Sequence, residues 1–360
     1  MVESGRFFSR HNRTSILINV LGMISSFTRQ LYQFLKDWFS DSPTIRIHTS
    51  GSTGAPKEIT ARKTQMIESA RMTCGFLGLK ENDKALLCLP LEYIAGKMVV
   101  VRALYAGLDL YPVEPCGHPL ADTDIVFDFA AMIPLQVYNS LQIPEERKKL
   151  SEIKHLIIGG GAMDEAMEKE LADFPNAIYS TYGMTETLSH IALRRLNGIN
   201  ASPYYTPLPT VKLSLSEENT LVIDAPLVSD EPLITNDIAE LRTDGSFRIL
   251  GRKDNVINTG GIKVQIEEVE QLLKPHIVSL FAITSVPHPK LGEAIVLLVE
   301  SDIEKESIKN AIRQLLSRHK QPLGIFQVAR IPQTGNGKPD RIRIKKLAEQ
   351  ICPASTLTHI

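Results

Sequence analysis

Between residues 85 and 183 the chain alternates short apolar runs with segments of helical periodicity, and this alternation constrains the fold more than any other feature. The run "ALLCLP" (85–90) predicts a buried strand, and "KMVVVRALYAG" (97–107) predicts a helix that ends at Gly107. Residues 155–174 predict a strand, a glycine turn and a helix in succession. Further strands are predicted at 108–113, 124–129 and 176–183. Strands separated by helices are typical of the α/β class, in which helices cover a layered sheet.

The pattern changes after residue 203. The segments "VKLSLSEENTLVIDAP" and "IAELRTDGSFRILGR" alternate apolar and polar residues around Glu-Asn and Asp-Gly turns, which predicts β-hairpins. Beyond the polar segment "GRKDN" (251–255), helical and strand patterns return in a smaller unit. The sequence therefore predicts a large α/β domain with a β-rich subdomain at 1–252, a hinge at 253–255 and a small α+β C-terminal domain at 256–360.

Composition excludes several classes of partner. A chain of 360 residues is long enough for two domains. A net charge of −1 offers no broad electrostatic footprint for nucleic acid, so no nucleic-acid partner is expected. The four cysteines are scattered, without a CxxC pair or a Cys/His ligand spacing, so neither a disulfide framework nor a zinc site is indicated. This cysteine usage predicts a cytoplasmic location.

The N-terminal segment "RFFSRHNRTSILINVLGMISSF" (6–27) places arginines before an apolar run, as a signal peptide does. Asn19 and Ser25 interrupt the run, and no clear small-residue cleavage site follows. We therefore expect one or two amphipathic helices within residues 14–39. No stretch approaches the roughly 18 apolar residues of a membrane span.

The segment "TSGSTGAPK" (49–57) concentrates small residues, hydroxyl groups and a lysine in nine positions. Glycines let the backbone approach a ligand, and backbone N–H groups and hydroxyls can surround phosphate oxygens. The segment is no Walker A motif, because Pro56 stands where that motif has a glycine before the lysine. Composition alone leaves a flexible linker as an equal alternative to a phosphate-binding loop. As a nucleotide-binding loop, the segment would contribute Thr49, Ser50, Gly51, Ser52, Thr53, Gly54 and Lys57.

The same string resembles the phosphate-binding signature of the adenylate-forming superfamily, which includes acyl- and aryl-CoA synthetases, firefly luciferases and the adenylation domains of nonribosomal peptide synthesis. Four further segments resemble the family's later motifs in the same order, across about 290 residues. These are "YGMTET" (182–187), "ITNDIAEL" (234–241), "GRKDNVINTGGIKV" (251–264) and "QTGNGKPDR" (333–341). The resemblance implies a large domain, a small mobile lid domain, and ATP-dependent activation of a carboxylic acid.

The resemblance also implies roles for individual residues. Thr185 would contact phosphate, Glu186 would hold Mg²⁺, and Lys338 would be the catalytic lysine of acid activation. Asp254 falls on the hinge about which the lid domain rotates. The remaining implied nucleotide-binding residues are Gly160, Gly161, Ala162, Tyr182, Gly183, Asp237 and Arg252.

Three positions depart from the family pattern. Asn236 replaces a glycine of the family's TGD segment, and Asn258 replaces a lysine, so we assign no cationic role to position 258. Tyr93 stands in "PLEYIAG" (90–96), where the family often has a histidine that gates the acyl pocket. The part before residue 44 is short for the family, so the large domain is expected to be truncated at its N-terminal side.

Within the superfamily, "YGMTETLSHIALR" and "LPLEYIAGKMVVVRAL" most resemble the o-succinylbenzoate–CoA ligases of menaquinone biosynthesis. Their substrate carries two carboxylates and an aromatic ring, so its pocket needs a cationic or polar anchor for the carboxylate that does not react. The candidate pocket residues are Tyr93, Lys97, Arg102, Ser189 and His190. For each one singly a structural role stays the alternative: Arg102 as a charge on a helix surface, and His190 as a buried histidine whose hydrogen bonds are satisfied.

The resemblance implies ATP, Mg²⁺ and, as co-substrate, coenzyme A. Two alternatives stay open at this point: another aryl- or acyl-CoA ligase, or a stand-alone adenylation enzyme that loads a carrier protein. The sequence indicates no oligomeric state.

Overall fold

The computed structural model describes residues 26–48, 58–161, 163, 165–300, 305–333 and 339–352. These residues form a mixed α/β fold with one large, mainly parallel sheet and three smaller sheets. The predicted α/β class is therefore confirmed. Among the described residues, none of the helices combines the length and the apolar character that crossing a bilayer requires.

Seven strands of the described chain form the large sheet, in the order β4-β3-β5-β6-β7-β8-β9. Strands β3 to β7 pair in parallel, whereas β8 and β9 are antiparallel to their neighbours. Their bounds are β3 Lys84–Leu87, β4 Asp109–Pro112, β5 Phe129–Met132, β6 His155–Ile158, β7 Ala177–Gly183, β8 His190–Arg195 and β9 Thr206–Pro207. The strands β3, β5 and β6 are short and almost entirely buried, as expected where helices cover both faces.

The helices of this part either join the parallel strands or lie before them in the chain. They are α1 Ser26–Trp38, α2 Lys63–Leu77, α3 Ile94–Ala106, α4 Pro134–Gln142, α5 Pro144–Glu152 and α6 Glu165–Leu171. Helix α3 ends at Gly107, whose φ of +70° forms the left-handed cap that the sequence predicts. Most of α3 is buried, since it packs against both α2 and the sheet.

Two antiparallel sheets complete the first 252 residues. A hairpin pairs β1 (Thr44–His48) with β2 (Glu58–Arg62), so its strands flank segment 49–57. The four-stranded sheet runs in the order β10-β11-β12-β13 and contains both predicted hairpins. Its strands are β10 Lys212–Leu215, β11 Thr220–Asp224, β12 Leu233–Leu241 and β13 Phe247–Arg252.

The C-terminal part has its own sheet, in which β15-β14-β17-β16 are adjacent and β18 pairs in parallel with β17. Its strands are β14 Val256–Thr259, β15 Ile262–Gln265, β16 Phe281–His288, β17 Gly292–Val299 and β18 Gly324–Gln327. Its helices are α7 Ile266–Leu273, α8 Lys305–Leu315 and α9 Arg341–Ile351. Two apolar clusters on either side of this sheet consist of residues between 257 and 352, whereas the other two clusters consist of residues between 27 and 247.

The domain bounds at 1–252, 253–255 and 256–360 stay a prediction. A short 3₁₀ turn spans Lys253–Asn255, between the two parts of the fold.

Two local predictions are corrected or limited. Residues 124–127 are not a strand, because the ladder of β5 begins only where Phe129 pairs with Ala85. The Asp128 carboxylate accepts a hydrogen bond from Lys84 N at 2.9 Å and marks the start of that ladder. The N-terminal helix is observed over Ser26–Trp38, and the earlier residues of its predicted range lie outside the described residues.

Candidate functional site

The candidate site lies at the edge of the large sheet where the parallel strands β5, β6 and β7 end. The loops that follow these strands leave the sheet at that edge, which is where open α/β sheets bind their ligands. Gly160 has a φ of +81°, a conformation that favours glycine. A Cβ atom on Gly159 would stand 2.3 Å from Thr181 Oγ1, so the loop backbone lies close against β7. Gly161 follows at the same edge and is half-buried.

The "YGMTET" segment forms a tight, strained turn at the end of β7. A 3₁₀ turn spans Thr185–Thr187, and Leu188 follows with a φ of +63°, which is uncommon for a residue with a side chain. A Cβ atom on Gly183 would lie 2.3 Å from Ser189 O and 2.5 Å from His190 Cα. Only glycine therefore allows the chain to double back this closely, and this brings Ser189 and His190 beneath the turn.

The turn also leaves one carboxylate free for a metal. Glu186 is exposed and Thr185 is half-buried. No group of three or more His, Cys, Asp or Glu side chains that could hold a metal ion occurs within the described ranges. Mg²⁺ is commonly bound through one or two carboxylates plus the phosphate oxygens of a substrate. Glu186 therefore fits a magnesium ion that is shared with a polyphosphate.

Tyr182, Asp237 and Arg252 meet on the β-rich side of the turn. The Tyr182 hydroxyl donates a hydrogen bond to Asp237 Oδ2 at 2.6 Å, and Arg252 Nη1 donates to Asp237 Oδ1 at 3.1 Å. Asp237 and Arg252 are also direct partners between β12 and β13. Arg252 holds Asp254 as well, through bonds of 2.9 and 3.0 Å from Nε and Nη2. One arginine thus joins the Asp237 carboxylate to the segment that is predicted to be the hinge.

Packing fixes the Tyr182 ring. It meets Phe247 edge to face, with centroids 5.1 Å apart, and lies 5.9 Å from the Tyr205 ring. Burial, and then the charge of Asp237, raises the pKa of the Tyr182 hydroxyl well above its usual range. The hydroxyl therefore stays protonated at neutral pH and can act as the donor to Asp237.

Arg102 is buried in helix α3 without a carboxylate partner among the described residues. Its side chain and backbone are only 2% exposed. Its Nη2 donates a hydrogen bond to Ser189 Oγ at 2.6 Å, and its Nε is buried with no partner. Burial lowers the pKa of Arg102 to about 10, so the guanidinium is still charged at neutral pH. A buried cation without a counter-ion is costly, which points to an anion that binds there.

His190 lies next to this guanidinium. Its Nδ1 is 3.4 Å from Ser189 Oγ, and its Nε2 is 3.0 Å from Thr73 Oγ1. Thr73 Oγ1 also lies 3.2 Å from Ser69 O, to which it donates a hydrogen bond. Burial, and then the charge of Arg102, lowers the pKa of His190 well below its usual range. The imidazole is therefore neutral.

The structure separates the other two pocket candidates from this cluster. Lys97 Nζ donates to Arg46 O at 2.8 Å, in a cleft that it lines together with Asp37 and Glu92. Burial lowers the pKa of Lys97, and those two carboxylates act against the shift. Arg102 follows Lys97 by five positions, which places the two about 140° apart around the axis of α3. Tyr93 precedes the first turn of α3 and is 37% exposed.

Some predicted site residues lie outside the described residues. They are Thr49, Ser50, Gly51, Ser52, Thr53, Gly54, Lys57, Ala162 and Lys338. Their roles, and those of the residues placed above, stay predictions.

The model of the AMP-binding enzyme family matches residues 31–229, just over half of the chain. That span contains the strained turn, the glycine loop at 159–161 and Arg102. The chain belongs to the AMP-binding enzyme family.

The similarity of this AMP-binding enzyme to individual proteins agrees with the family assignment. The chain is 26% identical over 323 residues to 2-succinylbenzoate–CoA ligase of Haemophilus influenzae, which covers 81% of this chain and 68% of the relative. It is similar to the crystal structure of an acyl-CoA synthetase (AMP-forming)/AMP-acid ligase II-like protein from Dyadobacter fermentans. That match has a TM-score of 0.63 and 32% identity, and covers 89% of this chain and 94% of the other.

A third match concerns the fold alone. The O-succinylbenzoate coenzyme A synthetase of Bacillus subtilis, solved in complex with ATP and magnesium ion, superposes with a TM-score of 0.69 at 19% identity. This match covers 83% of the AMP-binding enzyme described here and 69% of the Bacillus chain.

Sequence reasoning missed three residues of the site in this AMP-binding enzyme. Tyr205 and Phe247 pack on Tyr182, and Thr73 contacts His190. Phe247 occupies an inward position of a predicted hairpin, so its burial could have been predicted. Thr73 lies within a helix and belongs to none of the motifs, so no sequence signal marks it.

Proposed function

We propose that this AMP-binding enzyme is an AMP-forming acid–CoA ligase that converts o-succinylbenzoate to o-succinylbenzoyl-CoA, a step of menaquinone biosynthesis. The names of the relatives support the substrate, since the Haemophilus relative is a 2-succinylbenzoate–CoA ligase. The five motif segments support the reaction class.

The observation that carries the substrate proposal is the buried guanidinium of Arg102. A monocarboxylic acid would present its only carboxylate to ATP and leave Arg102 without a counter-ion. An acid with two carboxylates can present one to ATP and place the other against Arg102, where charge-assisted hydrogen bonds are strong. Ser189 joins Arg102 to the turn that carries Glu186, so the proposed anion site lies beside the proposed phosphate site.

The chemistry then follows in two steps. In the first, a carboxylate oxygen attacks the α-phosphorus of ATP, and pyrophosphate leaves. In the second, the thiol of coenzyme A attacks the acyl carbon, and AMP leaves. The attacking carboxylate is already ionised at neutral pH, so the first step needs no general base.

The residues of this chain supply binding and charge. Asp237 would accept hydrogen bonds from the ribose hydroxyls, because a carboxylate is a natural acceptor for a diol. Glu186 would hold Mg²⁺, which neutralises phosphate charge when bound. Lys338 and segment 49–57 would add positive charge and N–H donors around the α-phosphate, where negative charge develops. Asp254 would be the hinge that lets the small domain change faces between the two steps.

A cytoplasmic location is part of the same proposal. Cys74, Cys88, Cys116 and Cys352 are all free thiols. ATP, coenzyme A and free thiols occur together in a reducing compartment.

The test is a panel of carboxylic acids, each mixed with the enzyme, ATP and Mg²⁺, with and without coenzyme A. Pyrophosphate and AMP release are measured. We expect pyrophosphate release to depend on o-succinylbenzoate, and AMP and thioester formation to require coenzyme A in addition. A preference for a monocarboxylic acid would contradict the substrate. Pyrophosphate release without any thioester would favour an enzyme that loads a carrier protein.

A further inference from the structure

Behind Arg102, four polar side chains and one carbonyl form a continuous hydrogen-bonded chain. It runs from Arg102 through Ser189, His190 and Thr73 to Ser69 O, with contacts of 2.6, 3.4, 3.0 and 3.2 Å. Arg102, His190 and Thr73 are almost entirely buried, whereas Ser189 is half-buried. This hydrogen-bonded chain therefore connects the candidate anion site at Arg102 to the backbone of helix α2 at Ser69.

The donors and acceptors of this chain can all be satisfied in one direction. The Thr73 hydroxyl donates to Ser69 O, so its oxygen accepts from His190 Nε2–H. The opposite nitrogen, Nδ1, then carries a lone pair and accepts from the Ser189 hydroxyl. The Ser189 oxygen in turn accepts from Arg102. Each link restricts the next, as expected for a buried polar network.

We propose that Thr73 and His190 are positioning residues that set the preference for a dicarboxylic acid by fixing Ser189 and, through it, the guanidinium of Arg102. This inference rests on the proposed function, since Arg102 is taken to bind the second carboxylate. A neutral imidazole suits this role, because it orients Ser189 without adding a second positive charge or a competing carboxylate next to Arg102. An arginine that is held in one orientation keeps its free N–H groups directed at the ligand.

Helix α2 carries Thr73, whereas Ser189 and His190 follow the strained turn, and His190 is the first residue of β8. Leu188 and Gly183 force the chain to double back, and this places both side chains under the turn. The hydrogen-bonded chain from Ser69 to Arg102 is therefore attached to helix α2 on one side and to the proposed phosphate-binding turn on the other.

The test uses a pair of variants that separates the hydroxyl from the shape. Thr73→Val keeps the shape and removes the hydroxyl, whereas Thr73→Ser keeps the hydroxyl. KM and kcat are measured with o-succinylbenzoate and with β-benzoylpropionate, which lacks the ring carboxylate. For Thr73→Val we expect KM for o-succinylbenzoate to rise by about tenfold, with kcat and the KM for β-benzoylpropionate unchanged. Thr73→Ser should keep the wild-type KM for o-succinylbenzoate.

A rise of both KM values by the same factor in Thr73→Val, or no change in either, would overturn the proposal. If wild-type enzyme shows no preference for o-succinylbenzoate over β-benzoylpropionate, the proposed function fails, and this outcome is distinct from failure of the positioning role.

A second measurement does not depend on turnover. In ¹⁵N-histidine NMR spectra of the full chain, the His190 signals are assigned by their loss in His190→Gln. We expect a neutral ring with the proton on Nε2 at neutral pH. A ring protonated on Nδ1 alone, or on both nitrogens, would contradict the direction of the chain and with it the proposal.

Discussion

Arg102 carries a positive charge into a part of the protein that excludes water. Burial lowers its pKa to about 10, yet that value still leaves it charged at neutral pH. The described residues offer it a serine hydroxyl and no carboxylate. A buried charge without a partner destabilises the fold, and proteins rarely keep one unless it has a function. The same residue should therefore cost stability and provide selectivity.

This trade-off predicts an unusual phenotype for Arg102→Met. A long apolar side chain fills much of the same space without the desolvation cost, so we expect the thermal midpoint to stay equal or to rise. Loss of a charge-assisted hydrogen bond of about 1.5–3 kcal/mol should raise KM for o-succinylbenzoate by about ten- to a hundredfold. Thermal unfolding and steady-state kinetics measure the two effects. A lower midpoint together with unchanged acid selectivity would show that Arg102 is structural.

At the residue scale, motifs predicted only part of the site. Tyr182, Asp237 and Arg252 could be grouped from the resemblance, and the structure brings their side chains together.

Arg102 and His190 were candidates because they stand close to the motifs. Thr73 could not be found, because its role depends on two helices and a turn meeting in space. Lys97 was grouped with Arg102 by sequence proximity, and the helix directs it elsewhere.

Among the elements, α3 most directly controls the position of Arg102. Its first turn packs against the chain that leaves β3, and a Cβ atom on Gly96 would stand 2.4 Å from Pro90 O and 2.7 Å from Leu89 O. Those neighbours are backbone atoms, which cannot rotate away as a side chain could. Helix α3 therefore cannot pack any closer to the backbone of Leu89 and Pro90. The position of the helix against this backbone determines where the Arg102 side chain lies in the core.

Gly96→Ala should accordingly displace α3. We expect a loss of about 1–3 kcal/mol in the free energy of unfolding, because overpacking forces backbone shifts. KM for o-succinylbenzoate should rise as well, since Arg102 moves with the helix. Denaturant unfolding and kinetics give the two values.

The matched control is Gly75→Ala in the neighbouring helix α2. A Cβ atom there would have no neighbour within 4 Å. Alanine has a higher helix propensity than glycine, so the free energy of unfolding of this variant should rise by about 0.5–1 kcal/mol. Equal stability of the two alanine variants would refute the close approach of α3.

Most elements could be predicted because hydrophobic periodicity and glycine signals agreed. Gly107 ends its helix as expected, and the hairpins of β10 to β13 form around the predicted turns. The strand expected at 124–129 failed because apolar alternation alone does not provide a pairing partner. Ile125 and Phe127 are partly or fully buried as alternation suggests, but the ladder begins only at Phe129.

At the scale of the whole molecule, the α/β class followed from sequence, but the order of strands in the large sheet did not. Helical crossovers are compatible with several strand orders, and only the packed structure shows that β3 lies between β4 and β5. The site is then built from the sheet edge, the β-rich sheet and α3. The small domain would contribute Lys338, which lies outside the described residues.

The central claim is that the large-domain site and Lys338 act on one ATP molecule to activate o-succinylbenzoate. The direct test is to measure the two half-reactions separately in wild-type enzyme and in Lys338→Ala. Acid-dependent exchange of pyrophosphate into ATP reports the first, and thioester formation from supplied o-succinylbenzoyl-AMP and coenzyme A reports the second. We predict that Lys338→Ala loses the exchange and retains thioester formation. Wild-type enzyme that shows no exchange in response to o-succinylbenzoate, or a variant that loses both half-reactions equally, would contradict the account.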